Sequence, residues 1–67
     1  MTDKVYQLIE LVGTSQLSIE DAIQNGLKKA ATIHPKVDWF EVVETRGYVE
    51  NDEKLYYQVT LKIGCNA

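Results

Sequence analysis

Apolar and polar positions change their spacing along the chain, and each change marks an element. Lys4 to Val12 reads K-V-Y-Q-L-I-E-L-V, a branched and aromatic run too short for a typical helix. A strand is expected there, ended by Gly13. From Ile19 the spacing becomes three and four: Ile19, Ala22, Ile23, Gly26, Leu27, Ala30 and Ala31 form one apolar stripe, as on a helix packed on one side. Ser18 lies three residues before Asp21 and suits an N-cap with an acidic first turn. Pro35 stops the helix, because the residue before a proline is pushed out of helical geometry. Gly26 and the alanines keep the stripe narrow, which suits close approach to a sheet.

Beyond Pro35 the period falls to two. Val37 to Tyr48 is expected as a second strand, with Trp39, Glu41, Val43 and Thr45 on one face and Phe40, Val42 and Glu44 on the other. Glu50 to Glu53 supplies a polar turn. In Leu55 to Ile63 the residues Tyr57, Val59, Leu61 and Ile63 alternate with Tyr56, Gln58, Thr60 and Lys62, the clearest strand pattern in the chain. The second and third strands then pair as a hairpin. Placing the third strand between the other two makes every neighbouring pair antiparallel. The expected fold is α+β, in the order β-α-β-β, with a three-stranded antiparallel sheet of order 1-3-2 partly wrapped around one helix. One short helix covers one face of such a sheet, and an exposed apolar face marks an interface or a ligand site.

Length sharpens that point. The chain has 67 residues, and residues 1–67 read as a single domain. A chain this short buries only about 60% of the surface that its unfolded form exposes, so its own core is marginal. Small proteins make up the difference with disulfides, a structural metal or self-association. Cys65 is the sole cysteine and His34 the sole histidine, so neither an internal bridge nor a Cys/His zinc cluster is expected. Self-association remains. Seven basic and ten acidic residues give a formal charge of −3, which disfavours a phosphate-binding surface for nucleic acid. No apolar run approaches the ~20 residues of a membrane span, and no leader pattern opens the chain, so a cytoplasmic protein is expected.

Catalytic constellations are weak. Cys65 sits three residues from the end with no base fixed against it, and His34 beside Pro35 reads as a loop histidine. Gly13-Thr14-Ser15 lacks the glycine spacing and the lysine of a phosphate loop. Glu41 and Glu44 fall on opposite faces of a regular strand and make a poor acid/base pair. No catalytic or metal-binding residues are expected. More informative are Trp39 and Gln58, an indole and a primary amide on strands expected to be neighbours. An indole offers a stacking face and an amide both donates and accepts at a ring edge, a combination that suits a flat heteroaromatic ligand. Arg46 can neutralise a phosphate on the same ligand. The plainer alternative is that Trp39 anchors a subunit interface and Gln58 is a solvated strand residue.

The segments V-Y-Q-L-I-E-L-V-G-T-S (Val5 to Ser15), I-E-D-A-I-Q-N-G-L-K-K-A (Ile19 to Ala30), D-W-F-E-V-V-E-T-R-G (Asp38 to Gly47) and Y-Q-V-T-L-K-I-G (Tyr57 to Gly64) together resemble the dodecin family. These are small flavin-binding proteins that assemble into hollow twelve-subunit shells. The resemblance implies the same sheet and helix. It also implies flavins at subunit contacts, stacked on Trp39, hydrogen-bonded by Gln58 and flanked by Glu44 and Arg46 near the ring or its ribityl and phosphate tail. FMN or riboflavin is the implied ligand, with FAD as a further flavin and coenzyme A as a second nucleotide ligand. The end departs from the family pattern: after the matching glycine an aromatic, a basic residue and a leucine are usual, whereas this chain reads Gly64-Cys65-Asn66-Ala67.

The function expected on that basis is storage and buffering. A homododecamer sequesters flavin without turning it over, and indole stacking quenches and photoprotects the bound ring. The rival readings are a structural shell whose flavin site has decayed, a coenzyme A or nucleotide-binding assembly, and a flavin-dependent enzyme.

Overall fold

The computed structural model describes residues 3–67. The elements follow the expected order: β1 (Tyr6–Ser15), α1 (Ile19–Ile33), β2 (Val37–Glu50) and β3 (Lys54–Asn66). The sheet order is β1-β3-β2 and both pairings are antiparallel.

The helix begins and ends where local chemistry dictates. Ser18 is extended and its hydroxyl accepts the Asp21 backbone N–H at 2.9 Å, which satisfies one of the donors left free at a helix start. Ser15 Oγ donates to Asp21 Oδ2 at 2.7 Å and accepts from the Leu17 N–H at 2.9 Å, tying the end of β1 to the first turn. At the other end His34, before Pro35, adopts φ −140° and ψ 130°. Its N–H closes the last turn on Ala30 O at 2.9 Å, and its Nδ1 accepts the Lys36 N–H at 3.2 Å, the loop role expected for it.

The narrow stripe does bring the helix down onto the sheet. A Cβ on Gly13 would lie 2.0 Å from the Ala22 carbonyl oxygen and 3.2 Å from Gly26 N. Backbone therefore packs on backbone where β1 passes under α1. Gly13 does not end β1: it pairs with Val59, and the strand runs on to Ser15. Around this contact Ala22, Ala30, Val59, Leu61, Ile63 and Cys65 are fully buried, flanked by Ile9, Leu11, Ile23, Leu27 and Val37.

The last strand also runs further than its alternation suggested. Cys65 pairs with Gln7 on one side and Val37 on the other and lies inside the core. Asn66 N–H donates to Lys36 O and Ala67 N–H to Val5 O, both at 2.9 Å. Cys65 and Asn66, where the chain departs from the family pattern, thus complete the central strand, and Ala67 ties its end to Val5. At the hairpin Asn51 and Asp52 take φ of 55° and 58°, a left-handed conformation that these two residue types tolerate better than most.

Beyond Val37, β2 is bare. Every residue from Asp38 to Glu50 is exposed, including Phe40, Val42 and Val49 on the side of the sheet that carries the helix. The helix leaves the open face of the sheet uncovered, as expected, and does not cover β2 on the other face either. The protomer measures 55 × 20 × 14 Å. Its radius of gyration of 13.8 Å exceeds the roughly 11 Å of a compact chain of this length. Its accessible surface of 4874 Å² likewise exceeds the roughly 4300 Å² expected for a compact monomer of this mass. Among the described residues no helix is long and apolar enough to cross a membrane.

Candidate functional site

The strand register sorts side chains onto the helix-free face in rows, since residues directly opposite in antiparallel strands project to the same side. Reading from β1 through β3 to β2, the rows are Leu8–Gly64–Trp39, Glu10–Lys62–Glu41, Val12–Thr60–Glu44 and Thr14–Gln58–Arg46. Beyond them Tyr56 and Tyr48 stack with ring centroids 4.9 Å apart and planes 4° from parallel, and Gln16 Nε2 donates to the Tyr56 hydroxyl at 2.6 Å.

Glu44 and Arg46 reach this face because of an irregularity. The β2 register shifts between Val42 and Glu44, so Val43 is an extra residue that resets the alternation. The regular pleat expected from sequence places Glu44 with Phe40 and Val42, and Glu41 opposite it. The bulge brings Glu44 and Arg46 to the face that Trp39 and Glu41 already share. The two carboxylates therefore share a side, facing Lys62 and Thr60 respectively across the register.

Trp39 lies flat on the sheet. A Cβ on Gly64 would sit 2.0 Å from Cε2 of the indole, 2.3 Å from Cζ2 and 2.5 Å from Nε1. Both of the latter atoms are bonded to Cε2 and both are farther away than it is, which places the point over the ring plane and not beyond its edge. One indole face thus rests on the backbone of β3. The other points away from the sheet, in a residue that is 39% exposed. Tyr6 flanks it from β1 in an edge-to-face contact, centroids 5.9 Å apart at 65°, a geometry worth about 0.5–1.5 kcal/mol beyond area burial.

The four residues singled out from sequence fall into two groups. Arg46 and Gln58 are direct cross-strand partners, and Glu44 is one row away, opposite Thr60. Trp39 is not with them: its partner Gly64 is six positions beyond Gln58 on β3, which is roughly 20 Å at the rise of an extended strand. Between the two groups lies an open depression of about 400 Å³ lined by Glu10, Leu11, Val12 and Thr60. Sequence reading missed Gly64 and Tyr6. Their signal exists only in the register, which sets a residue without a side chain beside the single tryptophan and an aromatic on β1 one row further along the same face.

An α+β protomer of this topology, one helix against a three-stranded sheet with an uncovered aromatic face, defines a class of small sheet proteins. A family profile described as Dodecin matches residues 5–67. The chain belongs to the dodecin family. It is 46% identical over 61 residues to the dodecin of Thermus thermophilus, covering 91% of this chain and 88% of that one. The solved dodecin of Streptomyces davaonensis superposes with a TM-score of 0.90 at 36% identity, over 98% of this chain and 97% of that one. A calcium dodecin of Mycobacterium tuberculosis, solved with a calcium-binding site, superposes with a TM-score of 0.85 at 25% identity, over 94% and 90% of the two chains. Among the described residues of this chain no group of three or more His, Cys, Asp and Glu is placed to hold a metal ion.

Proposed function

We propose that this protein stores and buffers flavin, FMN or riboflavin, in a homo-oligomeric shell of the twelve-subunit kind, with residues 1–67 acting as one domain in each protomer and the assembly working in the cytoplasm. The observation that carries this reading is the flat indole of Trp39, seated on Gly64 with its outer face free. A planar heteroaromatic ring has a ready stacking surface there, and membership of a family of flavin-binding proteins points to the isoalloxazine. The residues fit that group: an amide, a guanidinium and a carboxylate, Gln58, Arg46 and Glu44, occupy the same face of the sheet.

Separation along β3 sets the form of the site. No ring system spans the distance between Trp39 and Gln58 of one protomer, so the indole of one subunit and the amide of another meet the same ligand. This agrees with the bare β2, which needs a second copy to cover it. Gln58 then bonds the ring edge, and Arg46 holds the tail phosphate or the ribityl chain with Glu44 beside it. Stacked on the ring, the electron-rich indole donates an electron to the photoexcited ligand and takes it back, returning the excitation as heat. The bound flavin is dark and protected, and nothing is consumed.

Titrating the purified protein into FMN tests this. Flavin emission should fall to a small residue at saturation, and Trp39→Ala should abolish most of the quenching while light scattering reports an unchanged assembly. A colourless assembly that leaves flavin emission untouched would favour the structural shell. Multiple-turnover reduction with a nicotinamide donor would favour an enzyme.

A further inference from the structure

We infer that Gly64 and Tyr6 are positioning residues for Trp39: the bare backbone at Gly64 is the seat that lets the indole lie flat, and the Tyr6 ring is the wall that fixes its azimuth. The inference rests on the proposed flavin reading for its consequence, and on geometry alone for its content. β1 and β2 are the two outer strands, separated by β3, so their backbones stand two spacings apart, about 9.6 Å. Yet the rings of Tyr6 and Trp39 approach to 5.9 Å between centroids. They meet over the central strand, and the indole crosses β3 at Gly64. Any side chain there would occupy the ring itself, since even a Cβ falls 2.0 Å from Cε2.

The seat is specific to the side chain and not to the backbone. No glycine of the chain takes a positive φ among the described residues, so alanine fits the backbone at position 64 without strain. Gly64→Ala therefore leaves the strand intact and lifts the indole off the sheet. Raised, the ring turns out of the plane parallel to the sheet, and a ligand ring can no longer lie against it face to face. Tyr6 acts at right angles to this. Its ring, inclined at 65° to the indole, blocks rotation of the indole toward β1 and leaves a single stacking face, so the orientation of the bound ring is set before the ligand arrives.

The test uses riboflavin, which has no phosphate and so reports the ring seat without the tail contacts. Wild type, Gly64→Ala, Tyr6→Leu and Tyr6→Phe are compared by light scattering, by near-ultraviolet circular dichroism of the single tryptophan in the ligand-free protein, and by the flavin emission left at saturation. The expected result is that Gly64→Ala assembles, loses the tryptophan dichroism band, binds riboflavin at least tenfold more weakly and leaves more residual emission at saturation. Tyr6→Leu should show the same changes in smaller degree, and Tyr6→Phe should restore wild-type values, since it keeps the ring and drops only the hydroxyl. A purely structural role would lower the melting temperature without changing the emission at saturation. Wild-type dichroism and quenching in Gly64→Ala overturn the inference. If Gly64→Ala fails to assemble, the contrast between Tyr6→Leu and Tyr6→Phe decides. If wild type itself does not quench riboflavin, the flavin reading falls, and the ligand-free dichroism of the variants still upholds or overturns the seat.

Discussion

Trp39 and Gln58 project from the same face of the sheet, yet the register sets Trp39 against Gly64 and Gln58 against Arg46, six positions apart along β3. A ring gripped by both residues must therefore lie between subunits. On the proposed reading, aromatic seat and polar cluster are two half-sites carried by every protomer and joined by assembly. Oligomerisation and ligand binding would then have the same physical origin: the surface that the lone helix leaves bare.

Mixing experiments follow directly. Trp39→Ala and Gln58→Ala assemblies should each bind flavin poorly, but subunits unfolded together and reassembled should regain about a quarter of the wild-type quenching, the random-mixing value for a site built from two subunits. Were both residues contributed by one protomer, every site in the mixture would still lack one of them. Titration of FMN emission on the mixed assembly distinguishes the two cases, and no recovery at all would rule out the shared site.

The two glycines where helix meets sheet, Gly13 on β1 and Gly26 on α1, should respond differently to the same substitution. In Gly13→Ala the new methyl meets the Ala22 carbonyl at 2.0 Å, backbone against backbone, so the helix must lift and the cost should reach about 3 kcal/mol, the upper end for overpacking. In Gly26→Ala it meets only the Leu61 Cδ1 methyl, at 2.7 Å, which can swing away, and the gain in helix propensity of about 1 kcal/mol offsets the adjustment. Urea denaturation at one fixed protomer concentration should place the Gly13→Ala midpoint well below wild type and the Gly26→Ala midpoint close to it. Equal midpoints for the two variants would show that the close approach is not what holds the helix.

Much of this was legible in the sequence, and the exceptions share a cause. Ser18 and Pro35 bound the helix, and the alternation from Tyr56 to Ile63 names the central strand, because caps, prolines and period-two patterns act locally. The bulge at Val43 was not legible: Val42 and Val43 are both apolar, so nothing in the pattern shows where alternation resets, and Glu44 was assigned to the wrong face. Nor was the distance between Trp39 and Gln58, which depends on register and not on strand adjacency. Gly13 looked like a strand terminator because a glycine that admits a helix backbone and one that ends a strand are the same letter.

Turn chemistry offers a stabilising substitution. Asn51 and Asp52 both hold left-handed φ, 55° and 58°, and the Glu53 N–H donates to Glu50 O at 3.2 Å. These are the marks of a turn that favours Asn-Gly at its centre. Asp52→Gly should raise stability by about 0.5–1 kcal/mol, whereas Asn51→Val should lower it by at least as much. Thermal melts at matched concentration check both signs, and a destabilising Asp52→Gly would contradict the turn assignment.

The tail gives the last prediction. Cys65 is completely buried within the protomer itself, before any assembly, and it faces the core from a central strand hydrogen-bonded to both neighbours. A buried thiol behaves as a small hydrophobe. Cys65→Ser should therefore cost about 1–3 kcal/mol, because the hydroxyl needs a partner that the apolar core does not provide, while Cys65→Ala should cost less than that of a larger core residue since little volume is removed. Thiol labelling by a disulfide reagent separates this from a loose end: the native protein should resist modification until denaturant is added, and full labelling on mixing would mean that the chain's departure from the family pattern leaves its last strand unpaired.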